Sequence, residues 1–152
     1  MNSSEEKRQK KWDIRFLRLC KEISSWSKDP STQVGAIITN GIKVVSIGYN
    51  GLPQNTPDLP EILKVRQLKY KYILHAETNA ILTSQGSVKG CTMYTFPLFP
   101  CCRCASMLIQ AGISRVVSVE CQDDRWKKQL EESKHFMSLS KVEIIEYPID
   151  AI

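Results

Sequence analysis

A chain of 152 residues with 42% hydrophobic and 24% charged residues is long enough to bury a core without covalent staples and is balanced like an ordinary soluble domain. The net charge of +5 is modest, and no apolar run approaches the length of a membrane span. The first thirteen residues, MNSSEEKRQKKWD, are charged throughout and lack the apolar stretch of a signal peptide. A reducing cytoplasm, where structural disulfides are rare, is therefore the expected setting for the six cysteines.

No repeat, low-complexity tract or linker divides the sequence, so residues 1–152 are expected to form one domain. From 11 to 26, Trp12, Phe16, Leu19 and Ile23 recur at helical spacing among Lys, Arg and Glu, which predicts an amphipathic helix stopped by KDP at 28–30. Two apolar runs, QVGAIIT and KVVSIGYN, follow on either side of Asn40-Gly41, a strong hairpin signal, and should pair antiparallel. Residues 51–61 carry Pro53, Pro57 and Pro60 and read as loop, with a weaker helical pattern over 62–74. Beyond this, HAETNAILTSQ reads as helix, CTMYTF as strand, CCRCASMLIQAG as helix ending at Gly112, RVVSVE as strand, 123–139 as helix and KVEIIEY as strand. A hairpin followed by alternating helices and strands predicts an α/β fold, a mixed five-stranded sheet with flanking helices. Cys20, Cys91 and Cys121 stand singly in apolar surroundings and read as packing residues.

The segment FPCCRC at 99–104 carries three cysteines. Cys101 and Cys104, three apart at a helix start, present two sulfurs on one face, where the helix dipole favours thiolates. Taken alone, they fit a metal pair or a redox couple equally. His75, which opens another helix, separates these readings: His75, Cys101 and Cys104 make three ligands and leave a fourth position for water, as in a catalytic zinc site. Glu77 sits two residues on, within reach of that water and suited to general acid–base work. Cys102, one step round the helix, is expected to point away. The isolated alternatives are a core histidine and a first-turn acid.

The pattern is similar to the H-x-E…P-C-x-x-C signature of zinc nucleobase deaminases. SKDPSTQVGA (27–36), GYNG (48–51), HAETNAI (75–81), PCCRCA (100–105) and IQAGI (109–113) together resemble the deoxycytidylate deaminase family over residues 27–113. The resemblance implies the cytidine deaminase-like three-layer α-β-α fold and zinc-dependent hydrolysis of dCMP to dUMP. It implies one Zn2+ per chain held by His75, Cys101 and Cys104, with Glu77 relaying protons. The backbone N–H of Ala76 would hold the base carbonyl and Asn50 the sugar hydroxyl. It further implies a homo-oligomer, commonly a hexamer, activated by dCTP and inhibited by dTTP, with the effector near Gly48, Tyr49 and Gly51. No Cys or His lies between 51 and 74, where some members hold a second zinc.

The remaining candidates come from the residues themselves. Ser27, Lys28, Ser31 and Thr32 cluster beside the first strand and are suited to a phosphate, or simply form a helix-stop loop. Arg125 and Trp126 are placed to clamp phosphate and base, although Trp126 also suits a core. Tyr94 and Phe99 flank the cysteine segment and offer faces for a pyrimidine. Lys64, Arg66, Lys69 and Lys71 follow the proline-rich loop and are expected at an effector triphosphate, or on a solvated helix face. The competing functions are a polynucleotide deaminase acting on tRNA or single-stranded DNA, a free-nucleoside or riboflavin-type deaminase, and a non-enzymatic zinc or redox module.

Overall fold

The computed structural model describes residues 2–152 and contains one sheet in the order β2-β1-β3-β4-β5. Helix α1 spans Ser3–Ser24, β1 Gly35–Asn40 and β2 Lys43–Tyr49. Two short helices, α2 Pro60–Leu63 and α3 Arg66–Tyr72, precede α4 Ala76–Thr83. Then come β3 Thr92–Phe96, α5 Cys102–Ala111, β4 Arg115–Val119, α6 Asp124–Leu139 and β5 Glu143–Tyr147. β1 pairs antiparallel with both β2 and β3, whereas β3, β4 and β5 run parallel. The mixed five-stranded sheet expected from the sequence is the sheet observed.

α1 begins eight residues before the predicted start because Asn2 and Glu5 form a reciprocal capping box that the periodicity of the apolar residues does not reveal. Its buried stripe is Asp13, Phe16, Leu17, Cys20, Ile23 and Ser24; Leu19 lies off the stripe and is exposed. Pro30 does not stop the helix, which ends at Ser24 with Ser25 as its cap. The hairpin loop is Gly41–Ile42, flanked by the pair Asn40–Lys43, and Gly41 alone takes positive φ (60°). That is the pattern with glycine at the first turn position, not the Asn-Gly turn with two positive φ values.

Alternation along each strand sorts the core into two layers. Ala36, Ile38, Met93 and Val116 face α4, α5 and α6 with Ala76, Ala80, Ala105, Leu108, Leu130 and Met137. Ile37, Tyr94, Phe96, Val117 and Val119 face α1 with Phe16, Leu17, Cys20 and Ile23. The α1 layer is fastened by a polar knot. Buried Asp13 accepts from Arg115 (2.6 and 2.8 Å), Tyr94 Oη (2.8 Å) and Tyr147 Oη (2.8 Å). Burial alone would raise the Asp13 carboxyl, but Arg115 and the other donors hold it below its ordinary value.

Two glycines fix the helices to the sheet. A Cβ on Gly35 would sit 2.2 Å from the Cys20 carbonyl oxygen of α1, and one on Gly48 would sit 2.3 Å from the Ala76 carbonyl oxygen and 2.5 Å from the Ala80 nitrogen of α4. Gly48 is therefore the seat on which the N-terminus of α4 rests. Among the described residues, no helix is long and apolar enough to cross a membrane.

Candidate active site

His75 is the N-cap of α4 and Cys101 the N-cap of α5, and neither uses its side chain to cap its helix. Both chains enter these helices in extended conformation, which turns both side chains toward the same space above the sheet. His75 Nδ1 lies 3.5 Å from Cys101 Sγ and 3.4 Å from Cys104 Sγ, and the three donor atoms fall within 4.8 Å of one another. Tetrahedral zinc at its usual bond lengths to sulfur and nitrogen sets N···S separations of about 3.6 Å, so the spacing fits the ion.

The electrostatics fit it as well. The hydrogen bond from Cys104, aided by His75, outweighs burial and pulls the Cys101 thiol down to about 4, whereas Cys101 and burial push the Cys104 thiol up. The two thiols are thus pushed in opposite directions, and a cation between them would favour the thiolate form of both. The Cys101 hydrogen bond raises His75. Cys102 stands outside this group, its sulfur turned to the Gln129 carbonyl at 3.9 Å on α6, although it lines the same cavity.

Glu77, in the first turn of α4, is 4% exposed, and its Oε2 accepts from Cys104 Sγ at 3.6 Å. Burial pushes its carboxyl up, toward holding a proton. His75, Glu77 and Cys101 line a cavity of about 530 Å³ that also takes in Ala76, Phe99, Trp126, Asn50, Thr32, Asp29 and Lys69, with Cys104 buried behind them. Ile73, Leu98 and Leu130 supply further apolar wall, and Arg103, between the two cysteines, reaches its rim.

Not all sequence candidates meet there. Tyr94 does not: strand alternation sends it to the α1 face, 1% exposed and bonded to Asp13, so it offers no face to a ligand. Lys28 is exposed, lines neither this cavity nor the adjoining one, and pairs with Asp58. Ser27 donates to the Asn50 carbonyl (2.8 Å). Ser31 and Arg125 belong to the adjoining cleft, where Arg125 is paired with Asp123 at 2.6 Å; Thr32 and Trp126 border both spaces. Gly48 is occupied as the seat of α4, Tyr49 packs edge-on against Trp26, and Gly51 exchanges backbone hydrogen bonds with Leu74 (3.1 and 2.8 Å). Lys64 and Arg66 are exposed on either side of the α2–α3 junction. Cys121 is only partly buried, unlike Cys20 and Cys91.

Lys69 is the largest departure. It is 5% exposed, its Nζ donates to Asp29 Oδ1 (3.1 Å) and Ser31 Oγ (2.5 Å), and it lines the active cavity. Its partner Asp29 carries a signal in the sequence, since Asp followed by Pro-Ser-Thr is an Asx-turn pattern, and Asp29 Oδ1 accepts from the backbones of Ser31 (2.8 Å) and Thr32 (3.1 Å).

Comparison with known proteins agrees with this geometry. Residues 10–120 match the model of the cytidine and deoxycytidylate deaminase zinc-binding region. The chain is 41% identical over 145 residues to an uncharacterized deaminase from the luxG 3′ region of Aliivibrio fischeri, covering 93% of this chain and 97% of that protein. It is 44% identical over 115 residues to human deoxycytidylate deaminase, covering 70% of this chain and 63% of the human one. In fold it is similar to the dCMP deaminase of cyanophage S-TIM5 (TM-score 0.71, 20% identity, 97% of this chain and 100% of that one).

Proposed function

The chain belongs to the cytidine and deoxycytidylate deaminase zinc-binding family, and on that premise we propose that it hydrolyses dCMP to dUMP and ammonia. The observation that carries this reading is the buried carboxyl of Glu77 beside a complete His75–Cys101–Cys104 donor set at the wall of a cavity of nucleoside size. Zinc held by those three residues, one ion per chain, supplies Lewis-acid activation of water when bound. Glu77 takes a proton from the water that attacks C4 of the pyrimidine and delivers it to N3. It then carries the second proton to the departing amine, so that water and dCMP become dUMP and ammonia. A carboxyl that burial biases toward its protonated form suits the delivering half of this cycle. The Ala76 N–H, in the first turn of α4 where helix amides lack internal partners, is assigned to the base carbonyl. Phe99, Leu98 and Trp126 cover the ring and exclude bulk water. Thr32, Ser31, Trp126 and Arg125, along the cleft that adjoins the cavity, are assigned to the 5′ side of the nucleotide.

The human relative and the phage structure, also solved as a complex with dCMP and dUMP, are named for this substrate. The reading extends to a cytoplasmic homo-oligomer, a hexamer, with dCTP and dTTP as opposing effectors near Gly48, Tyr49, Gly51, Lys64 and Arg66. Support for assembly comes from β2, an edge strand whose Val44, Val45, Ile47 and Tyr49 are exposed. Purified zinc-loaded protein incubated separately with dCMP, deoxycytidine, dCTP and tRNA, with ammonia release followed, tests the assignment. Release from dCMP far above the others is expected. Release from tRNA alone would move the protein to the polynucleotide deaminases, and release from none would leave a zinc or redox module. Saturation by dCMP with and without dCTP or dTTP, beside a solution molar mass, tests regulation: a monomer with hyperbolic kinetics indifferent to both removes it.

A further inference from the structure

Asn50, the residue expected to grip the sugar hydroxyl, has no donor left to offer it. Its Oδ1 accepts the Val34 N–H (2.8 Å), and its Nδ2 donates to the Thr32 carbonyl (2.8 Å) and leans on Asp29 Oδ2 (3.5 Å). An Asn side chain offers two donors, and both are thus directed at protein groups. Next to it in the cavity lies a buried ion pair that does have capacity. Asp29 Oδ1 is crowded by four donors, from Ser31 N and Oγ, Thr32 N and Lys69 Nζ. Its Oδ2 has only the long contact from Asn50. Lys69 Nζ carries three donors and uses two, on Asp29 and Ser31. The pair therefore presents one free acceptor and one free donor, both nearly shielded from solvent, as Asp29 and Lys69 are 4% and 5% exposed.

A hydroxyl group is the ligand that uses both, since it donates through its hydrogen and accepts through its lone pairs. A phosphate is disfavoured because the carboxylate would stand against it, and the surrounding donors keep Asp29 ionised in spite of burial. We infer that Asp29 and Lys69 read the sugar 3′-hydroxyl of the substrate, the hydroxyl donating to Asp29 Oδ2 and accepting from Lys69 Nζ, while Asn50 acts as a positioning residue that aims Asp29. This assignment rests on the nucleotide deaminase reading above.

The test is a substrate-and-variant cycle on the zinc-loaded protein, with dCMP and 2′,3′-dideoxycytidine monophosphate compared on the wild type, Lys69→Met, and the double variant Asp29→Asn, Lys69→Met. Hydrogen bonds to charged groups imply that the wild type loses about 10- to 100-fold in kcat/KM on the dideoxy substrate. The variants lose a similar factor on dCMP, mostly through KM, and no longer distinguish the two substrates. The double variant guards against misfolding, because Lys69→Met alone leaves a buried unpaired carboxylate. A wild type that turns over both substrates equally overturns the inference without any variant. So does a folded variant that still prefers dCMP but has lost its preference for dCMP over deoxycytidine, which would make the pair a phosphate reader. A wild type that turns over no dCMP overturns the parent reading and this one together.

Discussion

Gly48→Ala adds one methyl group at the point where α4 rests on β2. That methyl would lie 2.3 Å from the Ala76 carbonyl oxygen and 2.5 Å from the Ala80 nitrogen, both backbone atoms that no rotamer change can move. Restoring an ordinary contact of 3.4 Å requires a shift of about 1.1 Å (3.4 − 2.3) at the start of α4. His75 caps that end and Glu77 sits in its first turn, so the shift is passed to a metal ligand and to the proton carrier together. Overpacking costs about 1–3 kcal/mol, which for a chain of this size lowers Tm by roughly 2–12 °C. Misplacing reacting groups by about 1 Å costs on the order of a hundredfold in rate. Calorimetry, bound-zinc content and single-substrate kinetics on dCMP would be measured beside Gly51→Ala, whose Cβ would meet nothing within 4 Å. The expected result is a destabilised Gly48→Ala with a large fall in kcat, and a near-neutral Gly51→Ala. A Gly48→Ala protein with wild-type Tm and kcat, altered only in its response to triphosphates, would refute the packing argument and leave Gly48 with the effector role alone.

Glu77→Gln should keep its zinc and lose at least about a hundredfold in turnover, because it retains the shape but not the proton; metal loss or preserved activity would remove Glu77 from that role. Cys101→Ser and Cys104→Ser should each lose bound zinc by metal analysis, whereas Cys102→Ser, whose sulfur faces the Gln129 carbonyl, should retain it; a zinc-free Cys102→Ser would overturn the ligand set. Asp13 is held below its unfolded value, so its contribution is complete above the unfolded pKa of about 3.9 and disappears as pH falls through the folded one. Urea titrations from pH 7 down to pH 2 should therefore show the wild type losing part of its stability at the acid end. Asp13→Asn, which leaves the half-buried Arg115 with only Glu143 as an ionic partner, should already be weaker by about 3 kcal/mol at pH 7 and flatter in acid; parallel pH profiles for the two proteins would exclude the linkage.

The sheet and the metal triad were legible because each rests on short-range rules. Alternating apolar runs define β1 to β5, and His75, Cys101 and Cys104 are recognisable from spacing next to helix starts. What escaped depends on the third dimension. Tyr94 lies close to the cysteines in sequence but on the other side of the sheet, a matter of strand parity that only the packed register settles. Lys69 is chemically like Lys64 and Lys71, yet it alone is buried, because α3 turns it onto an acid forty residues earlier. Leu19 is spaced three and four from Phe16 and Ile23, but Leu17 is spaced as well from Asp13 and Cys20, and it is Leu17 that is buried and Leu19 exposed. Asn50 does line the cavity, but its bonds to Val34, Thr32 and Asp29 depend on chain segments sixteen to twenty-one residues away and could not be read from GYNG.

The outer wall of the cavity is built from little. α3, which brings Lys69 and Tyr70 to the cavity, has seven residues, α2 just before it has four, neither has a side-chain N-cap bond, and α3 inserts one buried residue, Lys69. Helices this short do not persist alone in water. Their amide protons should exchange with deuterium well ahead of those in β1 and β3, in a sub-global opening that leaves the sheet intact. A nucleotide that bonds Lys69 would then bind the closed wall in preference to the open one, and the exchange of 60–73 would slow with ligand concentration by the ordinary mass-action law. Substrate capture and the folding of this segment become a single equilibrium, whose gate is a lysine that belongs to the wall and to the ligand at once.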